Sequence, residues 1–332
     1  MARPAPGKGA LTPAQHQRLR EQLKAIMGQI GSGQIPQAAA ALKPLQRKYP
    51  AQAEVAHVAS GLHARLGEHE RAIYHARRAI ELAPGQGDYH AALGTLLVQN
   101  DRHDEAMGPL DKALALKPGL RLAMVALGIA RMQTGEIDRA REIFSEVLRD
   151  HPGDVEAANN LALLESDTAH AHRAVEVISA ALERVGEDPM LLDGLCMFAS
   201  YDDQLSSEEV FAIHKRFGDS VQRRVRTPGR YANSPDPDRR VRVGFVSPDL
   251  RTHSVAYFLE PIFEHLDRGR FELCVYSTTA HPDAMTERLR GHADQWRDCT
   301  GGIADTHQRI AADRVDILIE LTGHFAGNLL PL

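Results

Sequence analysis

Cysteine is scarce in this 332-residue chain: Cys196, Cys274 and Cys299 stand far apart, with no CxxC pair among them. That excludes a disulfide framework and the paired-cysteine zinc modules, and it suits buried thiols in a reducing compartment. Lysine is missing after Lys215, and from Val241 onward nine arginines face thirteen aspartates and glutamates. With a net charge of −5 overall, the broad basic footprint of a nucleic-acid binder is lacking. A phosphate-bearing ligand would have to rely on local arginines or backbone N–H groups. No apolar run approaches the ~18 residues of a membrane span, and the opening MARPAPGKGA has no signal-like apolar stretch. These absences predict a soluble, cytoplasmic protein with neither membrane nor nucleic-acid partners. Neither GxGxxG nor GxxxxGK[ST] occurs, so the dinucleotide and NTPase fingerprints are missing as well.

What is present is a repeat. Steps of 34 residues connect Ala38, Ala72, Ala106 and Ala140, and the same steps connect Pro50, Pro84, Pro118 and Pro152. A turn column reads Gly33, Asp101, Gly67 and Gly135 in the same phase, and Gly128 steps back to Gly94, Ser60 and Ile26. The period is that of the tetratricopeptide repeat, a helical hairpin that must stack on its neighbours to bury its apolar face. A fifth, weaker unit holds Leu161, Ala162, Ala174, Ile178 and Ala181 in register. The small residues allow close helix approach, and Phe144 and Leu110 are expected to fill grooves between neighbouring hairpins. Proline closes each unit because it cannot continue a helix. Arrays of this kind bind extended peptides or partner proteins, so such partners are expected along the repeats. His57, His63, His69 and His75 recur every six residues, which scatters them around a helix; metal ligands on one helix want spacings of three or four, so solvated histidines are expected.

Residues 1–18 are predicted to be disordered, 19–188 to hold about five repeats, 189–240 to be a helical connector and linker, and 241–332 to be an α/β region. In the connector, SSEEVFAIHKRFGDSV opens with a cap at Ser206 or Ser207, and Val210, Ile213, His214 and Phe217 share one face. The Pro- and Arg-rich RVRTPGRYANSPDPDRR marks the domain boundary at about 226–240. Beyond it, strands are expected at 241–247, 271–278 and 315–321, with a short one near QWRDCT and helices near 254–266, 283–294 and 306–314. The apolar run VDILIEL reads as a central parallel strand. Strand–helix alternation predicts a doubly wound sheet, whose ligands gather at loops after the carboxyl ends of strands. Two polar loops fall there: SPDLRTHS (247–254) and TGHFAGN (322–328).

At this point the residues resemble a known family. VRVGFVSPDLRTHSVAYFLEPIFEHLD, FELCVYST and DILIELTGHFAGNLLPL are together similar to the amino-terminal catalytic half of bacterial O-linked N-acetylglucosamine transferases, also called the Spindly type. The resemblance implies a tetratricopeptide α-solenoid followed by an incomplete Rossmann-like GT-B amino-terminal lobe, an α plus α/β chain. It implies transfer of N-acetylglucosamine from UDP-N-acetylglucosamine, or of fucose from GDP-fucose, to Ser or Thr hydroxyls, with no metal and no cofactor. His253 and His324 match the family's active-site histidines, with Asp249, Arg251, Gly323 and Asn328 in the same two loops as expected substrate contacts. The family's repeats carry asparagines that grip the substrate backbone; the corresponding positions are Val58, Ala92, Ala126 and Asn160, so only Asn160 fits. Ser254, Phe325 and Leu329 depart from the family's proline, threonine and arginine. The chain is expected to end before the donor-binding lobe and to be inactive alone. The rival reading is a peptide-binding scaffold with a vestigial α/β region.

Overall fold

The structure, a computed structural model, describes residues 11–225, 231–324 and 328–330. The chain divides into two compact units at Thr168/Ala169. No helix of the described residues is long and apolar enough to cross a membrane.

The first unit is helical: α1 (Pro13–Gly31), α2 (Ile35–Lys48), α3 (Ala53–Arg65), α4 (His69–Leu82), α5 (Gly87–Val98), α6 (His103–Leu116), α7 (Arg121–Gln133), α8 (Ile137–Asp150) and α9 (Val155–Asp167). The first helix starts earlier than expected. Thr12 and Gln15 form a capping box around Pro13, so 11–18 is ordered helix and its cap; residues 1–10 lie outside the described residues. The turns inside the hairpins pass through the left-handed region at Gly33, Gly67, Asp101 and Gly135, and Ala169 occupies the same place in the fifth unit. Pro50, Pro84, Pro118 and Pro152 each follow the C-cap residue of a second helix.

Ala38, Ala72, Ala106 and Ala140 have no exposed surface. The large partners sit differently from expectation. Leu110 of α6 and Phe144 of α8 lie over Gly94 of α5 and Gly128 of α7, so they fill space within a hairpin rather than the groove between hairpins. A bare glycine is what leaves that space. The histidine series also departs from the solvated reading. Of the four, His69 is exposed, but His57, His63 and His75 are half-buried. His63 stacks on His75 with ring centroids 5.0 Å apart and bonds Glu68, because one turn of the hairpin brings α3 against α4.

The second unit contains α10 (Ala171–Val185), α11 (Pro189–Ala199) and α12 (Ser207–Arg224), then a four-stranded parallel sheet with three helices. Of the two caps the sequence offers, Ser206 is the one that starts α12, and with Glu209 it forms a capping box. The strands are β1 (Val241–Ser247), β2 (Phe271–Ser277), β3 (Gln295–Asp298) and β4 (Ile317–Glu320), in the order β3-β2-β1-β4. Helices α13 (Ser254–His265), α14 (Ala284–His292) and α15 (Ile303–Ala312) alternate with them. Strand period two assigns the faces. Val243, Phe245, Leu273 and Val275 pack with Leu259, Phe263, Met285 and Leu289, whereas Val246, Cys274 and Tyr276 pack with Cys299 and Ile310.

The strand expected to be central is instead at an edge: β4 pairs with β1 alone among the described residues, and Ile317 and Leu318 are exposed. An apolar run reports what a strand can bury, not which neighbours are there to bury it. The Pro-rich stretch lies within the second unit, and its described part is fastened to the sheet. Arg239 makes a two-pronged pair with Asp316 at 2.7 and 2.6 Å, and the Asn233 amide donates to the carbonyls of Arg314 and Val315.

Candidate functional site

Parallel pairing of β1 with both β2 and β4 puts the loops after all three strands at one end of the sheet. The connection order reverses between β1 and β4, and open parallel sheets gather ligands outside the carboxyl ends of strands at such a reversal. Val246 pairs with Glu320, so the loop carrying His253 and the loop carrying His324 leave the sheet from adjacent strands. Buried hydroxyls cluster by sequence at the same end. Ser277 Oγ, Thr278 Oγ1 and Thr322 Oγ1 are buried with no hydrogen-bond partner among the described residues, a condition that calls for a ligand or water.

The first loop is held at several points. The Asp249 N–H donates to Ser247 Oγ at 3.0 Å, and the Thr252 N–H donates to Asp283 Oδ2 at 2.8 Å. Bonds from the Thr252 side chain and then its N–H, with the caps that Asp283 gives α14, hold the Asp283 carboxyl well below the usual carboxylate range. His253 is the N-cap of α13, and its Nδ1 accepts from the Val255 N–H at 3.3 Å. Neutral imidazole using Nδ1 as acceptor carries its proton on Nε2, so the remaining nitrogen of this ring is a donor. Arg251 is exposed, 3.9 Å from Asp249, too far to bind it firmly.

The second loop is organised by a residue the sequence reading passed over. Glu320 accepts from the N–H groups of Thr322 and Gly323 at 2.9 and 2.8 Å and from that of Leu329 at 3.4 Å. Gly323 sits at φ +60, where a side chain would be strained. Phe325 and its two successors lie outside the described residues. His324 is drawn to the connector helices: its Nδ1 meets Asp193 Oδ1 of α11 at 2.7 Å, and its ring meets Phe217 and His214 of α12 edge-on with centroids 4.9 and 5.0 Å apart. Asn328 Nδ2 donates to the other Asp193 oxygen at 2.8 Å. His253 and His324 share no hydrogen bond or ring contact, although their loops leave neighbouring strands. Asn160, the remaining expected contact, belongs to α9 in the first unit, and its side-chain amide donates to its own helix at Glu156 O, 2.8 Å away.

Around His324 stand Cys196 and His214. The three offer ligand atoms within 4.8 Å of one another. Burial, with the nearby Asp193 carboxylate, pushes the Cys196 thiol up to about 12. Burial and then the neighbouring His324 lower the pKa of His214. Cys196 fits the expectation of a buried thiol, but its histidine neighbours were not foreseen: Asp193, Cys196, His214 and His324 are spread along the sequence and carry no local motif.

This architecture is a stack of helical hairpins followed by a small parallel sheet with a loop-lined carboxyl edge. Tetratricopeptide-repeat family models match residues 23–87 and 97–164. The chain is also homologous in part to SPINDLY-type transferases. A probable UDP-N-acetylglucosamine–peptide N-acetylglucosaminyltransferase SPINDLY of Petunia hybrida is 35% identical over 136 residues, covering 40% of this chain and 15% of that protein. The protein of the same description from Arabidopsis thaliana is 34% identical over 139 residues, covering 40% and 15%. The match thus spans about 15% of the length of these curated relatives. Among solved structures, a Thermobaculum terrenum O-GlcNAc transferase mutant aligns over 94% of this chain and 48% of its own, at 25% identity and a TM-score of 0.33. PilW, a type IV pilus biogenesis factor, aligns over 61% and 90%, at 18% identity and a TM-score of 0.52.

Proposed function

We propose that these residues are part of a Spindly-type protein O-glycosyltransferase, with the sheet forming the beginning of a Rossmann-like GT-B first lobe. The repeats would hold extended protein segments, and the β1/β4 edge would receive a Ser or Thr hydroxyl. Support comes chiefly from one observation: strand order 3-2-1-4 brings the His253 loop and the Gly323–His324 loop to one reversal point. Partial homology to SPINDLY transferases supports the same reading.

In this reading His253 is a positioning donor. Its Nε2–H would orient an acceptor or donor oxygen, because Nδ1 is engaged by the cap of α13. Asp249 and Arg251 would meet substrate from the same loop, and Glu320 would keep Gly323 and the Asn328 segment in shape around it. His324 serves the loop more directly than the sugar, since Asp193 takes its Nδ1. The donor would be UDP-N-acetylglucosamine or GDP-fucose. Residues 241–332 contain no lysine and no phosphate-cradling glycine motif, so these 332 residues by themselves are expected to bind acceptor peptide but to hold neither donor well.

A peptide-binding scaffold is the second reading, and it is favoured by the commitment of His324 and Asn328 to Asp193. Calorimetry with extended Ser/Thr peptides and with both sugar nucleotides, beside a radiolabelled transfer assay, tests the proposal. Peptide binding without donor binding or transfer is the expected result. Micromolar donor affinity, or turnover by these residues alone, would contradict it.

A further inference from the structure

We infer that Cys196, His214 and His324 form a binding site for a zinc-class divalent metal ion, held together by Asp193. The inference concerns the junction of α11, α12 and the loop after β4 and is independent of sugar transfer.

The three side chains come from three separate segments, yet their ligand atoms lie within 4.8 Å of one another. Ligand atoms around a tetrahedral zinc are about 3.3–3.6 Å apart, given Zn–N near 2.0–2.1 Å and Zn–S near 2.3 Å. The widest separation would therefore close by about 1.2–1.5 Å, a side-chain adjustment rather than a rearrangement of helices. One thiol and two imidazoles are the donor set that prefers zinc to magnesium or calcium. The fourth position would be left to water.

Hydrogen bonds prepare the nitrogen lone pairs. Asp193 accepts from His324 Nδ1–H at 2.7 Å, so the lone pair of that ring lies on Nε2. This is the carboxylate–histidine arrangement that fixes the ring and raises its basicity toward a metal. The Ser200 hydroxyl donates to Cys196 O at 2.9 Å, so at 3.3 Å it can only accept from His214 Nε2–H. That leaves the lone pair of His214 on Nδ1. Cys196 is buried and its Sγ makes a long contact of 3.8 Å to Ile213 O, a weak bond for the ion to replace. Binding would release the thiol proton to water and convert a neutral thiol to a metal-bound thiolate. His214 and His324 are only half-buried, which gives the ion a route in from solvent.

The ion would fasten the loop after β4 to α11 and α12, adding a coordinate link to the Asp193 bonds. The whole chain, freed of metal by chelator dialysis, should be titrated with Co²⁺ as an optical stand-in and with Zn²⁺ in competition with a chelating dye. One equivalent should bind, with a thiolate-to-cobalt charge-transfer band in the near ultraviolet. Cys196→Ser should abolish that band. His214→Gln and His324→Gln should weaken Zn²⁺ binding more than tenfold, and Asp193→Asn should weaken it about 10–100-fold. His69→Gln should leave it unchanged. Far-UV circular dichroism identifies any variant that fails to fold; should Cys196→Ser do so, the half-buried His214→Gln carries the test. Absence of a stoichiometric complex, or affinity indifferent to both histidine substitutions in folded protein, would overturn the inference.

Discussion

Leu110 occupies the space in which a side chain at Gly94 would stand: a Cβ there would lie 2.3 Å from Leu110 Cγ. Gly128 and Phe144 repeat the relationship one unit later, at 2.5 Å. Alanine has the better helix propensity by about 0.8–1 kcal/mol, so an exposed helical glycine gains from this exchange. Here the overlap wins. Gly94→Ala and Gly128→Ala should each destabilise the first unit by about 1–3 kcal/mol, measured as a lower urea midpoint. Pairing Gly94→Ala with Leu110→Ala should cost less than the sum of the two single changes, since the second removes the clash.

The fifth turn tests the conformational argument alone. Ala169 adopts φ 62, in the column where three of the other four residues are glycine. A left-handed alanine costs roughly 1–2 kcal/mol, partly offset in comparison with glycine by the greater entropy of unfolded glycine. Ala169→Gly should raise stability by about 0.5–1 kcal/mol, visible as a higher thermal midpoint.

Asp316 makes the second unit sensitive to acid. The paired Arg239 guanidinium, with bonds from the Arg242 N–H and the Asn233 amide, holds its carboxyl well below the usual carboxylate range. A depressed folded pKa contributes stability above the unfolded value, near ~3.9, and loses it as pH falls toward the folded value. Urea midpoints should therefore drop as pH is lowered below about 4–5. Asp316→Asn should lower the midpoint at pH 7 and flatten its dependence on pH in the acid range.

The repeats were legible because one 34-residue pattern recurs, and each column states a local need: a left-handed turn, a buried small residue, a helix end. The capping boxes at Thr12 and Ser206 are equally local. Long-range partners were not legible. The bond between Asp193 and His324 joins residues 131 apart in sequence, and no spacing rule links an acid inside LLDGLC to a histidine in a distant loop. Glu320 lies within the apolar run VDILIEL, where nothing local signals that its carboxylate holds three N–H groups of the following segment. The edge position of β4 was hidden for a related reason, since apolarity does not specify neighbours.

Sugar transfer by a joined protein is the decisive measurement for the proposed glycosyltransferase role. Residues 1–332 would be fused to the carboxy-terminal half of a SPINDLY-type transferase and assayed with radiolabelled UDP-N-acetylglucosamine and GDP-fucose on a Ser/Thr peptide, with donor binding as the control for a folded second lobe. Transfer is expected from the fusion and none from the 332 residues alone. A loss of about 100-fold or more is expected in the fusion carrying His253→Ala, the scale set by removing a positioned proton-handling or hydrogen-bonding group. A fusion that binds donor but transfers nothing, or transfers equally well without His253, would contradict that role.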